Sequence, residues 1–180
     1  MAKSVLALMG SPRAEGNTRA LCEAFLSGAR EAGWTGELIP VAERNIHGCL
    51  GCTMCQGGEG VCVQRDDMDE IYEKLLAADA VVLASPIYFF SWTSQLKAVI
   101  DRSVALRTRM KDKRFYLISA CALPDEARWQ NMLRSFREYL TALDDSVTEG
   151  GWVIGAEDYA SGRRENSAAM EKARALGRGL

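Results

Sequence analysis

Four of the six cysteines in this 180-residue chain lie in the segment CLGCTMCQGGEGVC, residues 49–62. Cys49, Cys52 and Cys55 follow one another at every third residue, and Cys62 lies beyond a glycine-rich stretch. The spacing C-x2-C-x2-C-x6-C resembles thiolate runs that hold a 4Fe–4S cluster, whereas structural zinc usually takes two separated C-x2-C pairs. A redox disulfide such as Cys52–Cys55, or free thiols in a flexible loop, are alternatives that the spacing leaves open.

These cysteines lie in a stretch of irregular pattern at about 42–65, which is long for a connection inside a compact domain. Loops of this length are usually functional or disordered. The glycines that would let the chain fold back, so that the fourth thiol reaches the other three, are Gly57, Gly58 and Gly60. We therefore predict that the four cysteines of the segment bind one 4Fe–4S cluster.

A second candidate site is the segment GSPRAEGNT, residues 10–18, between an apolar run and a helical pattern. Its glycines let a ligand approach the backbone, and the following helix offers free N–H groups and the positive end of its dipole. The residues that could face an anion are Ser11, Arg13, Gly16, Asn17 and Thr18. The loop is neither G-x-G-x-x-G nor a P-loop, so it predicts a terminal phosphate rather than a dinucleotide. The alternative is a plain connection in which Asn17 or Thr18 caps the helix.

A third candidate is the aromatic segment SPIYFFSW, residues 85–92. Pro86 stiffens the exit from a strand, and the residues after it can offer backbone N–H groups to a flat heterocycle. Tyr88 and Phe89 add stacking surface, together with Phe90 and Trp92. The aromatic side chains could instead seal the core or a subunit interface. An anion-binding loop and an aromatic loop together suggest a phosphorylated planar cofactor such as FMN.

The order of the predicted elements determines where these segments lie. Apolar runs predict strands at 3–10, 36–41, 80–86, 114–122 and 151–156, and helical spacing predicts helices at 18–32, 66–79, 93–107, 125–143 and 165–177. Pro40 favours an edge position for the second strand. The alternation predicts a flavodoxin-like α/β three-layer sandwich, with a five-stranded parallel sheet of order 2-1-3-4-5 and helices on both faces. We expect one domain over 1–180, with all three segments at the carboxyl edge of the sheet.

Composition excludes several functional classes. Hydrophobic residues make up 48% and charged residues 26% of the chain, which is typical of a globular protein. The net charge of −2 gives no basic field for nucleic acid, and no apolar stretch is long enough to span a membrane. No export signal is evident, so we expect the reducing cytoplasm, where free or metal-bound thiols are favoured over disulfides. Cys22 and Cys121, outside the cysteine segment, are expected to be buried structural thiols.

Two further patterns argue against hydrolytic or mononuclear metal chemistry. His47 is the sole histidine, so a histidine-centred hydrolase is not expected. Asp66, Asp67 and Asp69 could form an acidic metal site, but their place at the start of a predicted helix explains them through the helix dipole.

Taken together, GSPRAEGNT, SPIYFFSWTSQLKAVIDR and CVQRDDM resemble the NADPH-dependent FMN reductase superfamily, and the cysteines make the iron–sulfur flavoprotein branch the best match. The resemblance covers most of residues 3–107. It implies that the FMN phosphate is held by Ser11, Arg13, Gly16, Asn17 and Thr18. It further implies that the isoalloxazine ring is lined, through backbone contacts, by Pro86, Ile87, Tyr88 and Phe89. The family usually has glycine where this chain has Phe90, and a third ring-contacting loop is expected near Ala120 and Cys121.

The resemblance implies an FMN-dependent oxidoreductase that takes electrons from NAD(P)H. It passes them, by way of a cluster if one is bound, to a small-molecule or protein acceptor. No side chain is expected to act as a catalytic acid, base or nucleophile. The alternatives are a flavodoxin-like electron carrier and a cysteine-based redox or metal sensor. We also expect a homo-oligomer, either a dimer or a tetramer, because Phe90 and Trp92 suggest an apolar interface.

Overall fold

Strands and helices alternate along the chain. The computed structural model describes residues 2–57, 60–122, 125–156 and 168–180. The strands are β1 (Ser4–Met9), β2 (Thr35–Pro40), β3 (Ala80–Pro86), β4 (Arg114–Cys121) and β5 (Thr148–Ala156). The α-helices are α1 (Asn17–Glu31), α2 (Met68–Ala77), α3 (Ser94–Arg102), α4 (Glu126–Thr141) and α5 (Ala168–Arg178), and short 3-10 helices cover Val41–Glu43, Met54–Gln56 and Ser103–Leu106.

The five strands form one parallel sheet of order β2-β1-β3-β4-β5. This order and the flavodoxin-like fold confirm the prediction. β2 lies at an edge, and Pro40 ends it opposite Met9, where a missing N–H donor costs little. The strand order reverses between β1 and β3, which lie side by side at the centre of the sheet.

Each face of the sheet buries its own hydrophobic layer, because successive side chains of a strand point to opposite faces. One layer combines Leu6 and Leu83 with the buried sides of α2, α3 and α4. The other combines Ala7 and Val82 with α1 and α5. Burying a leucine or valine side chain stabilises the fold by about 1.5–3 kcal/mol, so both layers of helices are held firmly on the sheet.

Helices α1 and α5 approach each other at two glycines. A Cβ on Gly28 would lie 2.0 Å from the Arg174 carbonyl oxygen, and a Cβ on Gly177 would lie 2.0 Å from the Phe25 carbonyl oxygen. Only a residue without a side chain allows this backbone-to-backbone contact.

Some boundaries differ from those expected. β5 begins at Thr148 rather than at residue 151, because Gly150 accommodates the Tyr116 ring and Gly151 takes a φ of +137° beside a bulge between Phe115 and Tyr116. The third helix ends at Arg102 and continues as a 3-10 helix. Residues 165–167 of the predicted last helix lie outside the described residues. Among the described residues, no helix is both long and apolar enough to cross a bilayer.

Candidate cofactor sites on the loops after β1, β2 and β3

Three connections follow the carboxyl ends of neighbouring strands. The β1–α1 loop (residues 10–16) and the β3–α3 loop (residues 87–93) lie on either side of the point where the strand order reverses. Open parallel sheets bind ligands in the crevice at that point. The third connection (residues 41–67), which we call the cysteine loop, leaves β2 at the same edge.

The β1–α1 loop is fixed by main-chain contacts and by close packing on α3. The Gly10 N–H donates to the Ala84 carbonyl at 2.8 Å, and the Gly10 carbonyl accepts from Thr93 Oγ1 at 2.9 Å. A Cβ on Gly10 would come within 2.6 Å of Leu96 Cβ. Glycine therefore lets this loop lie directly against the start of α3.

The first turn of α1 has the features of an anion site. Gly16 occupies the N-cap position with extended backbone and no side-chain cap, and the turn contains no acidic residue. The alternative in which Asn17 or Thr18 caps the helix is therefore wrong. Ser11 is buried, and its Oγ accepts from the Arg13 N–H at 3.2 Å, which curls the loop toward the helix start. The positive end of the helix dipole favours a negatively charged group here.

The β3–α3 loop forms a tight aromatic turn. Tyr88 and Ser91 exchange two main-chain hydrogen bonds of 3.0 Å, and the residues between them, Phe89 and Phe90, have φ values of +47° and +65°. Two positive φ angles match a type I′ hairpin turn, which normally takes Asn and Gly. Each left-handed aromatic residue costs about 1–2 kcal/mol. The turn nevertheless projects the Phe89 side chain into solvent, with 98% of its surface exposed.

The structure restricts which backbone groups of this loop could contact a ring. Pro86 has no N–H, the Ile87 N–H donates to the Ala120 carbonyl at 2.9 Å, and the Tyr88 N–H is used within the turn. In the described part of the chain, the Phe89 N–H makes no hydrogen bond. A main-chain donor to a ring would therefore come from the tip of the turn. The third ring-contacting loop, expected after β4, includes residues 123 and 124, which lie outside the described residues.

Trp92 does not contribute to an exposed apolar surface, which corrects the sequence analysis. Its ring is buried in the core, where Nε1 donates to Ser135 Oγ at 2.9 Å, because a buried indole needs an acceptor for its N–H. Phe90 remains 42% exposed, and the Arg128 guanidinium lies 5.8 Å from its ring centroid.

The four cysteines of the cysteine loop line a single recess. The other described residues around it are Leu50, Gly51, Thr53, Gln56, Val63, Gln64, Arg102 and Val104. The Gly51 N–H donates to Cys49 Sγ at 3.5 Å, and Arg102 Nη2 donates to Cys62 Sγ at 3.7 Å. Donors that point at sulfur stabilise thiolates and tune the potential of clusters that thiolates hold. The structure thus brings the four proposed ligands together around one space.

The recess lies at the opposite end of α3 from the β1–α1 loop. Thr93, before α3, contacts Gly10, whereas Arg102, at the end of α3, lines the recess. Gly60 packs there too, since a Cβ on it would lie 2.6 Å from the Ala105 carbonyl oxygen. A helix rises 1.5 Å per residue, so the two places are about 14 Å apart along α3. The recess and the β1–α1 loop are therefore separated by the length of this helix.

A buried ion pair that the sequence analysis missed holds the base of the recess. Arg102 and Asp66 side chains are 0% and 1% exposed, and Nη1 lies 2.5 Å from Oδ2. Asp66 also accepts from the main-chain N–H groups of His47 at 3.0 Å and Met68 at 3.1 Å. The signal for Arg102 was its spacing, because it follows Leu96 and Val99 in the buried stripe of α3.

The acidic residues before α2 serve different purposes. Asp67 accepts from the Asn45 N–H at 2.7 Å, so Asp66 and Asp67 join the two ends of the cysteine loop. Asp69 lies in the exposed first turn of α2, where it pairs with Arg65. The expected helix-dipole role suits Asp69, whereas Asp66 and Asp67 act as anchors of the loop.

The surroundings of Cys62 favour its thiolate. Burial opposes ionisation, but hydrogen bonds from the Gln64 main chain, the Tyr72 hydroxyl and the Arg102 guanidinium outweigh it and lower the pKa of Cys62. The charge of Arg102 acts in the same direction. Since the thiolate is the form that ligates metals, the lowered pKa favours Cys62 as a metal ligand.

The other thiols differ from it. Burial, the nearby Cys62 and, less strongly, Cys49 and Cys52 raise the pKa of Cys55, which shows that the four sulfurs interact. Burial in the core raises the pKa of Cys22 to about 12, as expected for a structural thiol. Cys121 is only partly buried, contrary to expectation.

The arrangement of the thiols bears on which metal group they could bind. Among the described residues, no three His, Cys, Asp or Glu side chains are close enough to hold one metal ion. Zinc requires sulfurs about 2.3 Å from one centre, whereas a 4Fe–4S cluster takes one thiolate at each of its corners. All six cysteines are free thiols, so the Cys52–Cys55 disulfide is not formed in this structure.

Comparisons with known proteins identify relatives by sequence and by structure. An iron–sulfur flavoprotein of Methanocaldococcus jannaschii is 44% identical over 103 residues, which cover 57% of this chain and 53% of that protein. One from Archaeoglobus fulgidus is 41% identical over 95 residues, which cover 53% and 43%. The chain therefore spans about half the length of the curated relatives it matches. An NAD(P)H:quinone oxidoreductase from Methanothermobacter marburgensis shares the fold, with a TM-score of 0.75 at 19% identity over 99% of this chain and 98% of that one.

The family model described as NADPH-dependent FMN reductase matches residues 4–157. This range includes all three loops and extends beyond the motifs on which the resemblance was based. The predicted family and its iron–sulfur flavoprotein branch are confirmed by the family model and the curated relatives. The chain belongs to the NADPH-dependent FMN reductase family.

Proposed function

We propose that the protein is an FMN-dependent oxidoreductase that takes electrons from NAD(P)H and delivers them to a small-molecule or protein acceptor. The observation that carries the proposal is the start of α1, where glycine at the N-cap and a first turn without acidic residues give an electropositive helix end beside the strand reversal. When bound, FMN supplies the hydride and single-electron chemistry, which no side chain of this chain needs to provide.

In this proposal the chain's own residues bind and orient the flavin. The FMN phosphate is held by Ser11, Arg13, Gly16, Asn17 and Thr18 at the first turn of α1. The ring is lined by Pro86, Ile87, Tyr88 and Phe89. Thr93 keeps the two loops in register, because it bonds the Gly10 carbonyl and also caps α3.

The same proposal assigns a 4Fe–4S cluster to Cys49, Cys52, Cys55 and Cys62. Support comes from their shared recess and from the N–H and guanidinium donors aimed at two of the sulfurs. The six free thiols suit a reducing compartment such as the cytoplasm.

Steady-state oxidation of NADH and NADPH by FMN-loaded protein tests the enzymatic part, with flavins, quinones and azo compounds as acceptors. We expect turnover with at least one acceptor. Flavin binding without turnover would overturn the reductase and favour a flavodoxin-like electron carrier.

Anaerobic reconstitution followed by iron and acid-labile sulfide analysis tests the cluster. We expect about four iron and four sulfide per chain, as a 4Fe–4S cluster requires. Cys52→Ser should lose most of this iron, whereas the matched control Cys22→Ala, which alters a core thiol outside the recess, should retain it. Protein that binds FMN but no iron would contradict the cluster alone.

We further propose a homo-oligomer, a dimer or a tetramer, formed by a second copy of this chain. The large hydrophobic side chains that are exposed in the described residues all belong to two loops: Leu50, Met54, Val61 and Val63 in the cysteine loop, and Tyr88, Phe89 and Phe90 in the aromatic turn. Such concentrated apolar exposure is typical of an interaction surface. A mass near the 19.8 kDa monomer by light scattering at micromolar concentration would contradict it.

A further inference from the structure

The recess of the four cysteines has an unusual charge distribution. Among the described residues that line it, Arg102 is the only one with a formal charge, and the rest are thiols, apolar side chains and neutral polar groups. Four thiolates gathered around one space repel one another, and a fixed cation beside them offsets part of that repulsion.

The Arg102 side chain is held in one position by contacts on both sides of its guanidinium. Nη1 donates to Asp66 Oδ2 and, at 3.3 Å, to the His47 carbonyl. Nη2 donates to Cys62 Sγ at 3.7 Å and to the Gln64 carbonyl at 3.4 Å. The planar fork thus directs one nitrogen to the carboxylate and the other to the sulfur.

Packing alone does not explain an arginine at this position. Leu96 and Val99 precede it in the same buried stripe of α3, and an apolar residue there would avoid the desolvation of a guanidinium. The carboxylate lies on the Nη1 side, away from the sulfur, so the cationic end faces the recess. This orientation favours a more negatively charged occupant.

We propose that Arg102 is a positioning residue for the cluster: it holds Cys62 in place and serves as the fixed counter-charge that raises the cluster's midpoint potential. The inference rests on the proposed function, because it assumes that the four cysteines bind a cluster. A nearby cation stabilises the reduced form, which carries one more negative charge, and hydrogen bonds to ligand sulfur act in the same direction.

An arginine that only held the cysteine loop in place would make the same contacts. The test therefore needs a measurement that a purely structural role of Arg102 would not affect. Redox titration of the anaerobically reconstituted cluster, followed by electron paramagnetic resonance, gives that measurement. Iron and sulfide content and far-ultraviolet circular dichroism report cluster uptake and folding for each variant.

Three variants separate the contribution of the Arg102 charge from that of its hydrogen bonds. Arg102→Lys keeps the charge and the ion pair but cannot donate to Asp66 and Cys62 together. Arg102→Gln removes the charge. Asp66→Asn combined with Arg102→Gln removes both charges and so avoids an unpaired buried carboxylate if the single variant fails to fold. Arg109→Gln is the matched control, because Arg109 is exposed near Gly60 and makes no contact with a cysteine in the described residues.

We expect the reduction equilibrium constant to fall at least tenfold in both Gln variants, which is 59 mV toward negative potential for one electron. The midpoint potential of Arg102→Lys should lie between those of the Gln variants and the wild type. The potential of Arg109→Gln should equal that of the wild type. A wild-type potential in Arg102→Gln, or in the double variant if the single variant does not fold, would overturn this inference while leaving the cluster in place. A wild-type protein that takes up no iron would overturn both this inference and the proposed cluster.

Discussion

The β1–α1 loop and the cysteine loop follow neighbouring strands, but different forces hold them. Main-chain hydrogen bonds fix the first loop, and the absence of a side chain at Gly10 lets it pack on α3. In the cysteine loop, the buried side chains of Asp66 and Arg102 anchor the described residues.

The two loops are held differently because they offer different chemical groups to a ligand. A phosphate is bound largely by backbone N–H groups, so the loop that offers them can be defined by backbone geometry. A cluster is bound by side-chain sulfurs, and the loop that carries them has to be anchored from outside. The cysteine loop should therefore be sensitive to loss of one buried charge, and the β1–α1 loop to addition of one methyl group.

The largest effect is expected from Asp66→Asn, which leaves Arg102 buried without a charged partner. Breaking a buried ion pair in this way costs about 3–5 kcal/mol of the free energy of unfolding. The control Asp69→Asn alters an exposed pair with Arg65 and should cost less than about 1 kcal/mol. Urea unfolding followed by circular dichroism measures the free energy of unfolding of both variants. Equal losses in the two variants would show that the buried pair does not anchor the loop.

Gly10→Ala should have the next largest effect, because the new Cβ would overlap Leu96 and Thr93. Such overpacking costs about 1–3 kcal/mol. Gly57→Ala, in the cysteine loop, meets no atom of the described residues within 4 Å and should change the free energy of unfolding by less than about 0.5 kcal/mol. If the two variants unfold at the same urea concentration, the β1–α1 loop is not confined by α3.

Asn17→Asp should weaken flavin binding about tenfold or more, equivalent to about 1.4 kcal/mol, by adding a carboxylate beside the phosphate. The same substitution should leave the apo protein as stable or stabilise it by less than about 1 kcal/mol, because the carboxylate interacts favourably with the helix dipole. Fluorescence-quenching titration gives the dissociation constant. An unchanged constant would show that the phosphate is bound elsewhere.

The smallest effect is expected from Phe89→Gly. Relief of the left-handed conformation, about 1–2 kcal/mol, is offset in part by the extra freedom of glycine in the unfolded chain, about 0.5–1 kcal/mol. The side chain is exposed, so no packing within the chain is lost. Thermal unfolding should show equal or slightly higher stability, whereas the control Tyr88→Gly, without a positive φ, should lower it. Clear destabilisation by Phe89→Gly would mean that the turn is not strained.

Much of the fold could be predicted because it depends on local pattern. Continuous apolar runs mark the strands buried on both faces, such as Ala80–Pro86, and Pro40 marks the edge. The β1–α1 loop could be predicted for the same reason, since glycines and short polar residues between a strand and a helix describe its backbone directly.

The rest depends on contacts between distant residues. The sequence predicted a helix-dipole role for Asp66 and no role for Arg102, because their pairing brings together two elements that are far apart in sequence. Burial of Trp92 depends on Ser135, which supplies its acceptor from α4. The type I′ turn at Phe89 and Phe90 could not be predicted either, because its local sequence opposes it and the two main-chain bonds between Tyr88 and Ser91 hold it.

The glycine contacts between α1 and α5 affect the order in which the molecule folds. They join the first helix of the chain to the last, and long-range contacts of this kind form late because a large loop has to close first. During synthesis α1 emerges well before α5, so the surface around Gly28 stays uncovered until the final helix docks. The packing of α1 around Gly28 is thus completed only when the helix that carries Gly177 docks.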